Sequence, residues 1–181
     1  MHFVRRRRLK TSDEETARTT TPEQIRSRTF QRAAKLLAAK PRSIAELRER
    51  LLERHGVTDK LVEEVIARLK EYGYLDDERF AQSYASLKVK QTPIGRRRLQ
   101  QNLKMKKVSN EVADEALNLV YAETPEEELI DRAIEKRIRL RGRPKTRLET
   151  KSLFDHLLRQ GFAFELVNEK VRAVSKVDFD E

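Results

Sequence analysis

Val57-Thr58-Asp59-Lys60-Leu61-Val62-Glu63-Glu64-Val65-Ile66-Ala67-Arg68-Leu69 sets Val57, Val62, Ile66 and Leu69 at offsets of zero, five, nine and twelve, the spacing of one helical face. The same offsets return in Val108, Ala113, Leu117 and Val120, and again in Phe162, Val167, Val171 and Val174. Upstream of each set stands a leucine pair one turn apart: Leu47 and Leu51, Leu99 and Leu103, Leu153 and Leu157. The register holds once one extra residue is allowed before Val57. Three copies of a unit of roughly fifty residues predict a repeat architecture in which each copy buries its apolar stripe against its own helices and its neighbours. The expected fold is all-α: three tandem, diverged three-helix-bundle repeats, elongated, with helix-turn-helix-like units at 21–75, 76–122 and 123–177.

Starts and stops divide each copy into helices. Thr21-Pro22-Glu23-Gln24 offers a hydroxyl N-cap, a proline where no N–H is needed, and a glutamine that can answer the cap. Thr124-Pro125-Glu126-Glu127 repeats the device, Thr92-Pro93 keeps its first half, and Ser43-Ile44-Ala45-Glu46 reads as a capping box without proline. Gly56, Gly73, Gly142 and Gly161 serve as closing residues. Nine helices are expected, near 22–39, 44–55, 59–72, 77–91, 94–106, 110–121, 125–141, 146–160 and 164–175. Residues 1–20, basic and then Thr-rich, carry too little apolar surface to offset the entropy of ordering and are expected to form a flexible tail, with a short second tail at 178–181.

Composition narrows the function. Forty Lys and Arg against thirty Asp and Glu leave a formal charge of +10, which suits a polyanionic or acidic partner. Cysteine is absent, so disulfides, thiol chemistry and the usual structural zinc ligands are excluded. No apolar run reaches membrane-spanning length, and the expectation is a cytoplasmic monomer with no membrane contact. Charge is also unevenly placed. Lys88, Lys90, Arg96, Arg97, Arg98, Lys104, Lys106 and Lys107 form a stretch with no acid inside it. Arg132, Lys136, Arg137, Arg139, Arg141, Arg143, Lys145 and Arg147 form another, opposed only by Glu135. These stretches are the candidate surface for DNA phosphates or acidic protein, centred in the second on Arg137, Arg139, Arg141, Arg143 and Lys145. The acidic run Glu123, Glu126, Glu127, Glu128 and Asp131 lies where a helix N-terminus favours it and needs no further role.

A catalytic site is not expected. His2, His55 and His156 lie far apart without acid, serine or metal-ligand spacing, and no glycine-rich loop could hold a nucleotide, so neither enzyme activity, cofactor nor metal is anticipated. Tyr72, Tyr74, Phe80 and Tyr84 gather at the first repeat junction with the spacing of packing residues rather than of a base-stacking platform. Asp76-Asp77 reads as an N-cap followed by a first-turn acid. The junction is therefore expected to be a structural joint: Gly73 closes one helix, Tyr74 and Leu75 bury the crossing, Asp76 and Asp77 open the next helix, and Phe80 packs into it.

That same string, Gly73-Tyr74-Leu75-Asp76-Asp77-Glu78-Arg79-Phe80-Ala81, resembles the signature of the RecX family of recombinase regulators. Arg42-Ser43-Ile44-Ala45-Glu46-Leu47 is similar to the family's Arg-Ser-x-x-Glu-Leu, and Gly95 with Arg96, Arg97, Leu99 and Leu103 resembles its Gly-x-x-Arg-x-x-x-x-Leu stretch. The third copy matches more weakly, through Leu157, Gly161 and Phe162. Two departures stand out: Lys106-Lys107-Val108 where the family has Lys-Gly, which predicts a less sharp helix end at Lys107, and the basic N-terminal extension. The resemblance implies a small cytoplasmic modulator that binds the RecA–DNA filament, touches single- and double-stranded DNA weakly and without sequence preference, and inhibits recombinase, ATPase and coprotease activities in DNA repair and the SOS response. The rival from another class is an independent helix-turn-helix DNA-binding regulator, whose only candidate recognition helix runs from Arg96 to Asn102.

Overall fold

The computed structural model describes residues 21–175; the tails expected at 1–20 and 178–181 lie outside the described residues. Among the described residues the chain forms nine helices and no strand: α1 (Pro22–Ala39), α2 (Ile44–Leu52), α3 (Asp59–Glu71), α4 (Asp77–Gln91), α5 (Arg96–Met105), α6 (Asn110–Glu123), α7 (Glu126–Arg141), α8 (Arg147–Arg159) and α9 (Phe164–Val174). Helices that pack closely do so within α1–α3, α4–α6 or α7–α9, called units 1, 2 and 3 below. The leucine pairs that set the register are all buried, Leu47, Leu51, Leu99, Leu103 and Leu157 completely. Each such side chain removed from water contributes roughly 1.5–3 kcal/mol, which is why spacing overrides the low overall hydrophobicity of the chain.

Thr21 opens α1 as its sequence suggests: its Oγ1 accepts from Gln24 N, and Gln24 Oε1 accepts from Thr21 N, both at 3.3 Å. Ser43 accepts from Glu46 N at 3.1 Å. Two expected starts are corrected. Thr92 and Thr124 close α4 and α6 instead, and the helices that follow begin at Arg96 and Glu126 with no side-chain cap of their own. The N-terminal amides of α5 are met from unit 3. Lys107 departs from expectation too. It adopts φ 59°, and the bonds Lys107 N to Lys104 O (2.8 Å) and Val108 N to Leu103 O (3.3 Å) close α5 with the same double turn that Gly161 gives α8. The helix ends sharply, with a lysine held in the left-handed region.

In the Gly73–Ala81 segment one expectation is corrected. Gly73 (φ 70°) closes α3, Leu75 is buried, and Asp76 Oδ1 caps α4 by accepting from Arg79 N at 3.0 Å. Phe80 is half-buried and stacks on Tyr84 at 5.9 Å. Tyr74, however, is 69% exposed, because the closing turn swings its ring outward beside Tyr72 and leaves Leu75 to fill the crossing.

Units meet end to end through their middle helices. The N-terminus of α2 sits on the C-terminus of α5: the Ser43 hydroxyl donates to Lys106 O, and Lys106 and Lys107 pair with Glu46 and Glu49. The N-terminus of α5 sits in turn on the C-terminus of α8, with Gly95 N donating to Gln160 O (2.9 Å) and Arg97 N to Gly161 O (3.1 Å). Positive and negative helix ends thus face one another. Since α5 has 10 residues and spans about 15 Å, units 1 and 3 are held apart at its two ends, and the molecule is elongated. The apolar interior is divided in two. Unit 1 has its own core with Leu75, whereas units 2 and 3 share one continuous cluster from Ala81 to Val171, so three bundles yield two cores.

Candidate nucleic-acid interface

The joint between units 2 and 3 gathers basic residues from three helices. Two glycines make it possible. A Cβ at Gly95 would overlap the Gly161–Phe162 peptide, and one at Gly161 would overlap the backbone of Arg98, so the two helix ends touch backbone to backbone. The contact is fixed by Arg98, whose guanidinium donates to Arg159 O at 2.8 Å, and by Glu126, whose Oε1 accepts from Arg96 N at 2.9 Å. Tyr121 OH donates to Ile94 O at 2.9 Å, and burial holds that phenol far above its usual range. A carboxylate from the first residue of α7 therefore does for α5 what Asp77, the first residue of α4, does for α2 by accepting from Ile44 N at 2.8 Å.

Around this contact α7, α8 and α5 bring arginines together. Arg137 and Arg141 lie one turn apart on α7, Arg159 ends α8, and Arg98 stands in the first turn of α5. All four act on His156, whose imidazole is held below its usual range first by burial and then by Arg137, Arg159, Arg141 and Arg98. Both effects favour its neutral form. The neighbouring Arg137 is itself pushed down by desolvation, then by Arg141 and Arg159. Two recesses flank the cluster. One, of about 360 Å³, is bordered by Arg137, Arg141, Arg143 and Ser152; the other, of about 390 Å³, by Arg97, Arg98, Arg159 and Phe164. The one acid at the first recess, Glu149, is occupied: it accepts from Lys145 N (2.7 Å) and Thr146 N (3.2 Å), which keeps its carboxyl below the usual range. Like charges gathered at this density repel, and phosphate oxygens would relieve them.

The sequence-derived basic residues divide by location. Arg97, Arg98, Arg137, Arg141 and Arg143 border the recesses, and Arg139 and Lys145 are exposed nearby on α7 and the loop after it. Lys90 and Lys104 are exposed on unit 2, while Lys88 lies 5.6 Å from the Tyr84 ring. Arg96 is tied to Asn118 at 2.7 Å, and Lys106 and Lys107 are engaged as ties to unit 1. Two members of the cluster, His156 and Arg159, were not among the sequence candidates. Their signal was present: Arg159 precedes Gln160-Gly161 just as Met105 precedes Lys106-Lys107, so the repeat register placed it at a joint. Among the described residues no group of His, Asp and Glu is arranged to hold a metal, and no helix is long and apolar enough to cross a membrane.

Comparison with known proteins agrees with this architecture. The family model for the RecX first three-helix domain matches residues 30–69, and that for the RecX second three-helix domain matches residues 76–117. The regulatory protein RecX of Chlorobaculum tepidum is 33% identical over 150 residues, covering 82% of this chain and 89% of that protein. That of Treponema pallidum is 40% identical over 110 residues, or 61% of this chain and 66% of the relative. The Bacillus licheniformis protein is 29% identical over 151 residues, and the chain spans only 56% of its length. Crystal structures of RecX from Lactobacillus salivarius (TM-score 0.74, 84% of this chain and 97% of that one) and of a second regulatory protein RecX (TM-score 0.72, 94% and 81%) share the fold at 20% identity. With a relative one-third identical along almost its whole length and both three-helix models falling on units 1 and 2 in order, the chain belongs to the RecX family of regulatory proteins.

Proposed function

We propose that this chain lies along a RecA–DNA filament in the cytoplasm and, without catalysing a reaction, restrains the filament's recombinase, ATPase and coprotease activities. The carrying observation is the cationic cluster Arg98, Arg137, Arg141 and Arg159 around His156 at a rigid joint, in a chain of a regulatory family. Filament grooves repeat, and an elongated molecule with linked units engages successive sites at high effective concentration even when each contact is weak. The helix-turn-helix alternative is disfavoured by packing: the N-terminal turn of α5, which would have to enter a DNA groove, is covered by Gln160 and Gly161.

The test is RecA ATPase on single-stranded DNA with the wild-type chain and with Arg97→Ala/Arg141→Ala/Arg159→Ala, three exposed positions bordering the recesses. The wild type should lower ATPase. The triple variant should inhibit less and bind DNA with a log–log salt slope shallower by about two to three. Full inhibition by a folded triple variant would remove the cluster from the mechanism; no inhibition by the wild type would remove the function.

A further inference from the structure

The end-to-end joints repeat a single seat. In unit 2 it is formed by the first residue of α4 and the C-terminal turn of α5, and it holds the N-terminus of α2. In unit 3 it is formed by the first residue of α7 and the C-terminal turn of α8, and it holds the N-terminus of α5. Unit 1 has a corresponding seat, between α1 and the turn Arg54–Val57, and among the described residues no helix end is docked in it. What remains there is an open groove of about 820 Å³.

Its chemistry differs from that of the filled seats. The first residue of α1 is Pro22 where units 2 and 3 have Asp77 and Glu126, and Glu23 beside it borders a different recess, so no acid stands in this groove to receive an incoming helix N-terminus. Arg28, Arg32, Lys35 and Arg54 border the groove instead, with no carboxylate among its lining residues. Arg32 donates through Nη2 to Arg50 O at 3.2 Å but keeps Nε buried with no acceptor among the described residues. An unmet buried donor is costly and is relieved by an oxygen ligand. Leu36, Leu51 and Val57 supply an apolar wall.

We propose that this groove is a docking seat for an acidic peptide segment of a partner protein, one that carries carboxylates for the arginines and an apolar residue for the wall. A helix N-terminus is excluded by charge, which also argues against a second copy of this chain, because the free end, α8, starts at Arg147 beside Lys145. Nucleic acid is a poorer fit than peptide: its backbone has no apolar group to place against Leu51 and Val57, and the groove offers a base only His55, with no Phe, Tyr or Trp in its lining. The seat gives the molecule a protein-facing end distinct from the cationic joint of units 2 and 3, and it does not depend on the filament reading.

Fluorescence anisotropy tests it directly, with a labelled synthetic peptide of Asp and Glu carrying paired leucines one helical turn apart, titrated with the full chain. Saturable binding is expected, weakened about tenfold or more by Arg28→Glu/Arg54→Glu and by replacing the peptide's acids with Asn and Gln. Arg28→Gln/Arg54→Gln, which should lose less, serves if charge reversal disturbs folding, with far-UV circular dichroism melts as the check. Binding that survives charge reversal overturns the seat. So does loss of oligo-dT binding in Arg28→Glu/Arg54→Glu, which would make the groove part of the phosphate surface.

Discussion

Single residues decide how the units are joined. Glu126 and Asp77 each give up solvent to accept a backbone N–H across a joint, and burial raises both carboxyls despite that bond. A carboxyl raised in the folded state contributes stability below its unfolded pKa and loses it as pH rises through the folded pKa. The useful group is thus the acceptor oxygen rather than the charge. Glu126→Gln should match or exceed wild-type stability at neutral pH and flatten the pH dependence in that window, whereas Glu126→Ala should lose about 1 kcal/mol; urea denaturation across pH separates the two. Lys107 is the converse case, a side chain held at φ 59° where glycine would be at ease. Left-handed geometry costs roughly 1–2 kcal/mol for a residue with a Cβ, and its exposed pair with Glu49 returns roughly 0–1. Lys107→Gly should therefore raise the urea midpoint by about 0.5–1 kcal/mol equivalent with an unchanged slope.

At the scale of the element, the middle helices are both core and connector. Their leucine pairs face inward while their ends face neighbouring units, so the same ten-residue helix α5 sets the distance between units 1 and 3. Close approach at its N-terminus is tested by Gly95→Ala. Gly95 has φ −79°, which any residue adopts, so the only objection to alanine is its collision with the Gly161–Phe162 peptide. The substitution should cost about 1–3 kcal/mol in a thermal or denaturant melt. It should also weaken DNA binding, since Arg98 and Arg159 would part from one another. An alanine tolerated at no cost would mean that the two helix ends are not in contact in solution.

The whole molecule divides its stability as it divides its core. Units 2 and 3 share one apolar cluster and should open together, whereas unit 1, tied on by Ser43, Glu46, Glu49 and Asp77, should open on its own. Native-state hydrogen exchange is expected to show α4–α9 protected to a common, higher free energy and α1–α3 exchanging below it. Equal protection throughout would mean that polar joints couple the units as strongly as apolar ones do. A separately opening unit 1 beside a rigid cationic joint would let one end of the molecule adapt to a protein while the other stays fixed on a polyanion.

The sequence by itself determined the helices, their grouping in threes and the residues of the core, because apolar spacing is a local property and burial follows it: Val57, Val108 and Phe162 could be aligned before any coordinate was known. It also showed that positive charge is concentrated and that a RecX-like signature lies at the first junction. Only the tertiary structure decided which charges are free to act. Lys106 and Lys107 lie in the same acid-free stretch as Arg97 and Arg98, yet they are engaged by Glu46 and Glu49 from a unit some sixty positions away. His156 and Arg159 enter the cluster because two glycines let α5 and α8 meet end to end. Thr92 failed as a helix start for the same reason: the orphan amide of Arg96 found its partner in a distant carboxylate, and no local rule reports a bond made across a joint.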